Sequence, residues 1–440
     1  MTQKGSQVDD ETRARVQAFY EEYPYPFIDR VEYDRGLISR LCYLAHSCLV
    51  RQDGGRPLRI LIAGAGTREA VMWALSAPEH EIVAIDISER SLERTQVLAE
   101  QFKIDNLTTV HRSIESMSKY NGYFDLISSY GVLHHLPDPE VGLAALKAVL
   151  KPSGIMALMV YNHSNRQKLQ QAQTLIARLS PKGSPLETRE AIGLELCRFG
   201  AQRNSRMQHV FKNGLSDYAQ SPQAFADAYL NPNERSYSVY EFSDYLGRHG
   251  MSLIGPVQPA HWEPVGSLPA SVMPQYHQLS LLEKMDTVDM LQGPLMWVVA
   301  KPIERADERR PCETDDALFW ARVPNPIRSG IWPISGQLTI GGDCQEIYAA
   351  YEPDGQDHVW VYRDNRHRRR FHKIALHLLS GIDGKKNLLT IATEAAAKEG
   401  VGLNDVKNTL KAYWIQLIDI LDLAIIDTHQ CAQCPFAIKR

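Results

Sequence analysis

Long apolar runs are absent from this chain of 440 residues, and no segment approaches the roughly 18 apolar residues of a membrane-spanning helix. A strong charge of either sign is also absent, because 48 lysines and arginines against 52 aspartates and glutamates give a net charge of −4. The first ten residues are polar and contain no apolar signal-peptide core. We therefore expect a cytoplasmic protein that binds no membrane and lacks the overall charge for nucleic acid.

Cysteine is scarce as well, with seven residues, an odd number, mostly scattered along the chain. This usage is typical of reduced thiols in a cytoplasm and excludes a disulfide framework. Cys431 and Cys434 have the spacing of a metal-binding pair, but no second pair completes the four ligands of a structural zinc site. We predict that these two thiols are free and that the protein holds no metal.

The apolar content of 44% and charged content of 23% are those of an ordinary globular protein, and the length suggests two or three domains. From residue 58 onward, short apolar runs alternate with amphipathic helical patterns. The predicted strands are 58–63, 81–86, 107–112, 123–129 and 154–161, and the predicted helices are 67–76, 89–103 and 138–150. Such alternation favours a parallel sheet with helical crossovers.

A polar helical insertion at 162–247 interrupts this pattern, and Ser238 to Glu241 form a capping box that opens its last helix. Two further strands, 251–257 and 294–300, would complete a seven-stranded, Rossmann-like α/β sheet. We therefore predict one domain at 58–303, preceded by an N-terminal segment at 1–57 that contains a short helix, a tyrosine- and proline-rich stretch and a second helix at 36–50.

A charged linker at 304–316 leads to a different pattern at 317–440, where short strands precede helices. We predict strands at 337–340, 345–351, 358–363 and 423–427 and helices at 366–380, 388–399 and 403–421. This order is typical of an α+β, winged-helix-like domain. The basic run Arg363–Lys373 could grip RNA or an acidic protein, or it could form the solvated start of a helix.

The strongest motif is an apolar strand that ends at Gly64 and Gly66, followed by a second strand that ends at Asp86. Glycines let a backbone approach a ligand closely, and an acid at the end of the second strand accepts bonds from ribose hydroxyls. Glu69 stands where a dinucleotide site has its third glycine, and its charge would repel a pyrophosphate. The motif therefore favours an adenosine compound without phosphates.

These residues resemble the class I S-adenosylmethionine-dependent methyltransferases. The resemblance rests on Ile60–Thr67, Asp86, Phe124–Pro139 and Val149–Ile155, and it is strong over 58–160. It implies S-adenosylmethionine as the cofactor. The Tyr-Pro-Tyr-Pro stretch at 23–26 is similar to a subgroup whose N-terminal lid covers that cofactor.

The resemblance also implies roles for individual residues along the cofactor. The implied cofactor-binding residues are Gly64, Ala65, Gly66, Asp86, Ile87, Ser113, Ile114, Ser129, Tyr20 and Tyr25. This chain departs from the family at three positions. Ile62 replaces an acid near the cofactor's amino group, Arg68 replaces a third glycine, and Ser113 replaces an aspartate that reads the adenine amino group. We therefore expect moderate cofactor affinity.

Four residues after the fourth and fifth strands are candidates for catalysis. Tyr130 and Tyr161 would aim an acceptor amine, and His134 or His135 would take its proton or shape the pocket. Tyr20, Tyr23 and Tyr25 would cover the cofactor, surround a cation, or simply pack against the core.

The sequence leaves three hypotheses for the function of the protein. The Asn-Pro-Pro-Tyr signature for planar amides and base amines is absent, because Ser128–Gly131 occupies its place. The extra C-terminal region favours a protein substrate, and the layout is similar to bacterial methyltransferases of a lysine in elongation factor Tu. The alternatives are a small-molecule methyltransferase of specialised metabolism, or a catalytically weak module that binds protein or nucleic acid. The oligomeric state stays open.

Overall fold

The computed structural model describes a large part of the chain, with gaps. The described residues are 2–26, 38, 41, 57–78, 80–117, 120–202, 206–211, 213–262, 264, 267–269, 271–303, 323–326, 337–340, 347–354, 358–362, 368–372, 374, 377–378, 386–410 and 423–426. They fall into two compact units. The first contains 1–33, 58–257 and 262–305, and the second contains 34–57, 258–261 and 306–440. The predicted helix at 36–50 lies outside the described residues except at Ile38 and Leu41.

The first unit is built on a seven-stranded sheet, which confirms the predicted fold. Its strands are β1 (Arg59–Ala63), β2 (Glu81–Asp86), β3 (Leu107–His111), β4 (Phe124–Tyr130), β5 (Leu150–Val160), β6 (Met251–Pro256) and β7 (Met296–Pro302). Their order is β3-β2-β1-β4-β5-β7-β6. The first five strands run parallel, and β7 runs antiparallel to both of its neighbours. All parallel strands therefore end at one edge of the sheet, where ligands bind in such folds.

Helices surround this sheet. They are α1 (Thr2–Glu22), α2 (Glu69–Ser76), α3 (Glu89–Gln101), α4 (Pro139–Val149), α5 (His163–Leu179), α6 (Leu186–Ala201), α7 (Arg206–Val210), α8 (Gly214–Gln220), α9 (Pro222–Leu230), α10 (Val239–Arg248), α11 (Met273–Gln278) and α12 (Leu281–Gln292). The capping box at Ser238 is confirmed, since its side chain accepts from Glu241 N–H while Glu241 accepts from Ser238 N–H. No helix among the described residues is long and apolar enough to cross a membrane.

Two apolar clusters hold the first unit together. One lies between the sheet and its helices, with Leu61, Phe124, Leu158 and Val298 fully buried. The other joins α1 to the helical insertion. Its members are Phe19, Tyr23, Ala172, Ile176, Leu194, Cys197, Phe211, Phe225, Ala226, Tyr229 and Leu230. Because Phe19 and Tyr23 belong to the second cluster, the N-terminal helix is anchored on the insertion.

In the second unit the predicted helix at 366–380 is wrong in its first part. Arg368–His372 forms a strand that pairs antiparallel with His358–Tyr362, and Trp360 lies opposite Arg370. Arginine is a good helix former, but intrinsic propensity is a weak preference, so pairing with a neighbouring strand outweighs it here.

The other described elements of the second unit follow the predicted order, except that the strand Val323–Pro326 was not predicted. We label its elements β8 (Val323–Pro326), β9 (Gln337–Ile340), β10 (Ile347–Asp354), β11 (His358–Tyr362), β12 (Arg368–His372), α13 (Leu388–Glu399) and β13 (Leu423–Ile426). β9 to β12 form an antiparallel sheet, and β13 pairs with β8. Residues 403–410 are helical. The winged-helix arrangement and the domain boundaries stay predictions.

A buried carboxylate fixes the start of the central strands. Asp125 is fully buried, and its carboxylate accepts from Arg59 N–H at 2.9 Å and from the Lys151 ammonium at 2.8 Å. It thereby ties β1, β4 and β5 together. An isolated buried charge would be costly, so both donors are needed.

We expect Asp125→Ala to lower the free energy of unfolding of the protein by about 2–3 kcal/mol, because Arg59 N–H loses its acceptor and Lys151 its counter-ion. Urea unfolding followed by tryptophan fluorescence measures this change. The control is Asp10→Ala, since the Asp10 side chain is 71% exposed in its pair with Arg13 and should cost no more than about 0.5 kcal/mol. Equal losses in the two variants would contradict the role given to Asp125.

Candidate active site

The turn after β1 brings backbone into the site where a side chain would not fit. Gly64 and Gly66 have φ angles of +79° and +53°. A Cβ on Gly66 would lie 2.5 Å from the Tyr25 carbonyl oxygen, and a Cβ on Gly64 would overlap the Val132 side chain. The Gly64 and Ala65 N–H groups both donate to Ile85 O at 2.9 Å. The turn is therefore fixed against the end of β2.

Asp86 ends β2 beside this turn. Its Oδ2 accepts from Gly66 N–H at 2.8 Å, and its Oδ1 accepts from Ser88 N–H at 2.9 Å. Burial raises the pKa of Asp86, and the backbone donors act in the opposite direction. A carboxylate has about four acceptor positions, and the backbone donors leave some of them for hydroxyl groups of a ligand. The side chain is only partly buried, which leaves those positions accessible.

The carboxyl ends of β2 and β3 form the next part of the site. Ile87 follows Asp86, and its carbonyl lies 2.9 Å from His111 Nε2. Ser113 and Ile114 follow β3, with Ile114 buried and the Ser113 hydroxyl donating to Ser116 Oγ at 3.3 Å. The three predicted adenine contacts are thus together at one end of the sheet, and Ser113 keeps lone pairs for a donor.

Three of the four predicted catalytic residues, His134, His135 and Tyr161, come together after β4 and β5, whereas Tyr130 contacts Trp297 instead. The His134 ring lies 3.9 Å from the Tyr161 ring and 4.2 Å from the His135 ring, measured between centroids. Tyr130 packs its ring edge against Trp297 at 5.0 Å. Burial raises the pKa of Tyr130 to about 12, so its hydroxyl stays protonated at neutral pH.

The two histidines differ in their hydrogen bonds. His135 Nδ1 lies 2.8 Å from Asn233 O, which makes this nitrogen the donor. His134 is fully buried, and neither of its ring nitrogens has a partner in the part of the chain that the structure describes. Burial, together with His135 and Arg166, holds the pKa of His134 well below its usual range. His134 is therefore a neutral imidazole at pH 7. The Ser129 hydroxyl is likewise buried without a partner among the described residues.

The N-terminal segment lies over the glycine turn. Tyr25 O accepts from Thr67 N–H at 3.3 Å, and the Thr67 hydroxyl donates to Pro26 O. Burial raises the pKa of Tyr25 to about 12. Tyr23 points elsewhere, into the cluster with the insertion, where its hydroxyl donates to Glu190 at 3.1 Å. Of the three predicted lid tyrosines, Tyr23 therefore serves packing.

Two acidic residues that were not predicted as site residues lie beside these elements. Glu69 begins α2, and its Oε1 accepts from the Ser128 hydroxyl at 2.9 Å. Asp227 is 7% exposed and accepts from the Tyr20 hydroxyl at 2.9 Å. One signal existed for Asp227, because it is the only charged residue in the otherwise apolar and neutral helix α9.

Within the described residues no cluster of three or more histidine, cysteine or acidic side chains could hold a metal. Cys431 and Cys434 lie outside the described residues, so the prediction that they are free stays a prediction.

Comparison with known proteins agrees with this geometry. Residues 58–214 match the family model described as "Methyltransferase domain". The solved structure of PKMT2 from Rickettsia typhi in complex with AdoHcy shares the fold with a TM-score of 0.60 and 15% identity, over 92% of this chain and 78% of that one.

Curated relatives match a shorter part. An uncharacterized protein of Synechococcus sp. is 33% identical over 213 residues, which cover 48% of this chain and 51% of that protein. The tRNA 5-carboxymethoxyuridine methyltransferase of Escherichia coli K12 is 30% identical over 116 residues, which cover 26% of this chain and 44% of that enzyme. The chain thus spans about half the length of these relatives.

The residues present fit an S-adenosyl ligand. The glycine turn leaves room that a Cβ would fill, and Asp86 keeps acceptor positions for ribose hydroxyls. Ile87, Ser113 and Ile114 would hold the adenine, and Ser129 lies at the end of β4 with an unused hydroxyl.

We expect Gly66→Ala to weaken the binding of S-adenosylhomocysteine by about tenfold or more, since its Cβ meets Tyr25 O and left-handed backbone costs alanine about 1–2 kcal/mol. Isothermal titration calorimetry measures this. Gly183→Ala is the matched control, because Gly183 also has a positive φ, +77°, but no atom lies within 4 Å of its Cβ position. Unchanged affinity in Gly66→Ala would overturn the assignment of the turn.

Fold, turn and family model point to the same group. The seven-stranded sheet has its glycine turn and Asp86 at adjacent strand ends, and the methyltransferase model matches the strands that carry them. The cofactor is S-adenosylmethionine. Residues 58–214 form a methyltransferase domain with the class I S-adenosylmethionine-dependent fold.

Proposed function

We propose that the protein transfers the methyl group of S-adenosylmethionine to the side-chain amine of a lysine in another protein. The observation that carries this proposal is a nearly buried carboxylate, Asp227, set among tyrosines beside the predicted catalytic residues. Elongation factor Tu is the first substrate to test.

Asp227 and three tyrosines form one group, which we call the acceptor cluster: Tyr20, Tyr25, Tyr161 and Asp227. Tyr20 donates to Asp227, and Asn231 donates to the Tyr20 hydroxyl at 3.0 Å. Burial is the main cause that raises the pKa of Tyr25 and of Tyr161, and the charge of Asp227 adds to it in both. All three tyrosines keep part of their surface open, whereas Asp227 lies deeper.

This chemistry favours a cation. Aromatic ring faces attract positive charge, and a carboxylate in a desolvated site binds an ammonium strongly. One positive side chain beside the cluster, Arg166, is already engaged, because it lies 3.5 Å above the Tyr161 ring and pairs with Glu234. A carboxylate substrate would be repelled by the charge of Asp227, so an amine is the acceptor that suits the cluster.

The amine must lose a proton before it can attack. An ordinary lysine has a pKa near 10.4, and proximity to the positively charged sulfonium lowers it. His134 is neutral at pH 7 and adjoins Tyr161, so we propose that it takes this proton directly or through water. Tyr130 and Tyr161 would orient the nitrogen. Orientation and exclusion of water then account for the rate.

A protein acceptor is supported by the rest of the chain. Residues 304–440 have no cofactor motif of their own, and a small substrate would not need them. The fold shared with PKMT2 of Rickettsia typhi extends over 92% of this chain, so the additional region recurs in that protein. We propose that this region docks the protein substrate.

The direct test is to incubate the full-length protein with a bacterial lysate and methyl-labelled S-adenosylmethionine. We expect label in protein, on lysine, and we expect purified elongation factor Tu to be labelled at one position. Peptide mass spectrometry locates the label. Label confined to small metabolites would refute a protein acceptor, and label on other proteins alone would refute elongation factor Tu.

A variant tests the acceptor cluster. We expect Asp227→Asn to lower kcat/KM for the labelled protein by about 10- to 100-fold, because a desolvated hydrogen-bonded charge contributes about 1.5–3 kcal/mol. The affinity for S-adenosylhomocysteine should stay within about twofold of the wild type. Tyr20→Phe is the control, since it removes the hydrogen bond to Asp227 and keeps the carboxylate. Equal losses in the two variants would show that Asp227 only holds Tyr20.

A further inference from the structure

We infer that Glu69, the first residue of α2, binds the ammonium group of the cofactor's methionine part. The carboxyl end of β1 has no charged side chain that could do so. The inference rests on the cofactor and not on the proposed lysine acceptor, so either can fail without the other.

The position of Glu69 follows from strand register. Ile62 of β1 lies directly beside Ser128 of β4. The Glu69 carboxylate accepts from the Ser128 hydroxyl at 2.9 Å, although Glu69 itself begins α2 after the glycine turn. The carboxylate therefore lies over the junction of β1 and β4, at the edge of the sheet where Gly64 and Gly66 approach the ligand. The carboxyl end of β1, Ile62 and Ala63, is apolar.

Within the described part of the chain Glu69 has no ion pair. Its hydrogen-bond donors are the Ser128 hydroxyl and the Trp73 side chain, both neutral, and the charge of nearby Arg68 stabilises the carboxylate further without forming an ion pair with it. Burial raises the pKa of Glu69 to about 7, although a part of the side chain stays accessible. A carboxylate in such a recess is costly without a cation. An ammonium group from the ligand would supply one.

The other charged groups around Glu69 have different roles. Asp86 accepts from backbone at the ribose position, and Asp227 belongs to the acceptor cluster. Arg68 is adjacent in sequence, yet it forms no ion pair with Glu69 in the described structure, and Tyr130 stays protonated near neutral pH. Among the acids of the site, Glu69 is thus the one left for the ammonium group.

Two ligands separate this role from a structural one. S-adenosylhomocysteine carries the ammonium group, and 5′-methylthioadenosine has the same adenosine and sulfur without the amino-acid part. Glu69→Gln keeps the shape of the side chain and removes its charge. We expect this variant to weaken the binding of S-adenosylhomocysteine by about 10- to 100-fold and to leave the affinity for 5′-methylthioadenosine within about twofold of the wild type. Calorimetry with the full-length protein measures both.

Glu89→Gln is the matched control, because Glu89 begins the next helix, α3, with an exposed side chain. It should change neither affinity. The inference would be overturned if Glu69→Gln lowered the affinity for both ligands equally, or if it left the affinity for S-adenosylhomocysteine unchanged.

The wild-type protein gives a second measurement that needs no variant. Only the ionised carboxylate binds an ammonium, so the affinity for S-adenosylhomocysteine should fall as the pH drops from 7.5 to 5.5, through the pKa of about 7. Binding in this range should release a proton. Asp86 faces both ligands alike, so 5′-methylthioadenosine corrects for its titration. The same pH dependence for the two ligands would contradict the role of Glu69.

Discussion

The hydrogen bond from the Gly66 N–H to the Asp86 carboxylate, 2.8 Å long, is the constraint on which the site depends. It joins the turn after β1 to the end of β2, so the space beside Gly66 and the acid predicted to bind the ribose have fixed positions relative to each other. The turn has a second support, because the Gly64 and Ala65 N–H groups donate to Ile85 O. Backbone N–H groups occupy only part of the acceptor positions of Asp86. The same carboxylate therefore fixes the turn and keeps acceptor positions for a ligand.

Charge offers one account of the acids around this site. The cofactor carries positive charge at its sulfonium and at its ammonium, and the proposed lysine acceptor would bring another. Glu69 and Asp227 are the carboxylates that we propose for these cations, whereas Asp86 offers acceptors for hydroxyl groups, and burial raises the pKa of Asp86 and of Glu69. Burial without a ligand costs such carboxylates desolvation free energy. Binding of a cation compensates for this cost. This arrangement selects ligands by charge before any contact with the base or the ring.

Sequence pattern predicted the sheet well because parallel strands buried on both faces appear as short apolar runs between helical periods. β1, β2, β4 and the glycine turn followed directly from this. The acceptor cluster could not be predicted in the same way, since Tyr20 and Asp227 lie 207 positions apart and meet only when α1 packs on the insertion. Glu69 was recognised only as a residue that would repel phosphate, because nothing in the sequence shows that its side chain reaches Ser128. The basic strand Arg368–His372 was missed for a related reason: its partner strand, not its own composition, decides its conformation.

Tyr20 connects the two halves of the site. Its backbone oxygen accepts from the Ser88 hydroxyl at 3.2 Å, next to Asp86, while its side chain donates to Asp227 in the acceptor cluster. Glu21 extends the first contact, since its carboxylate accepts from Glu89 N–H at the start of α3. The N-terminal helix is thus bound to the cofactor half through the Tyr20 backbone oxygen and the Glu21 carboxylate, and to the acceptor half through the Tyr20 hydroxyl. Because one residue serves both halves, a movement of α1 that opens the cofactor site would also withdraw Tyr20 from Asp227. The proposed acceptor site is therefore complete only while the N-terminal helix lies against the cofactor half.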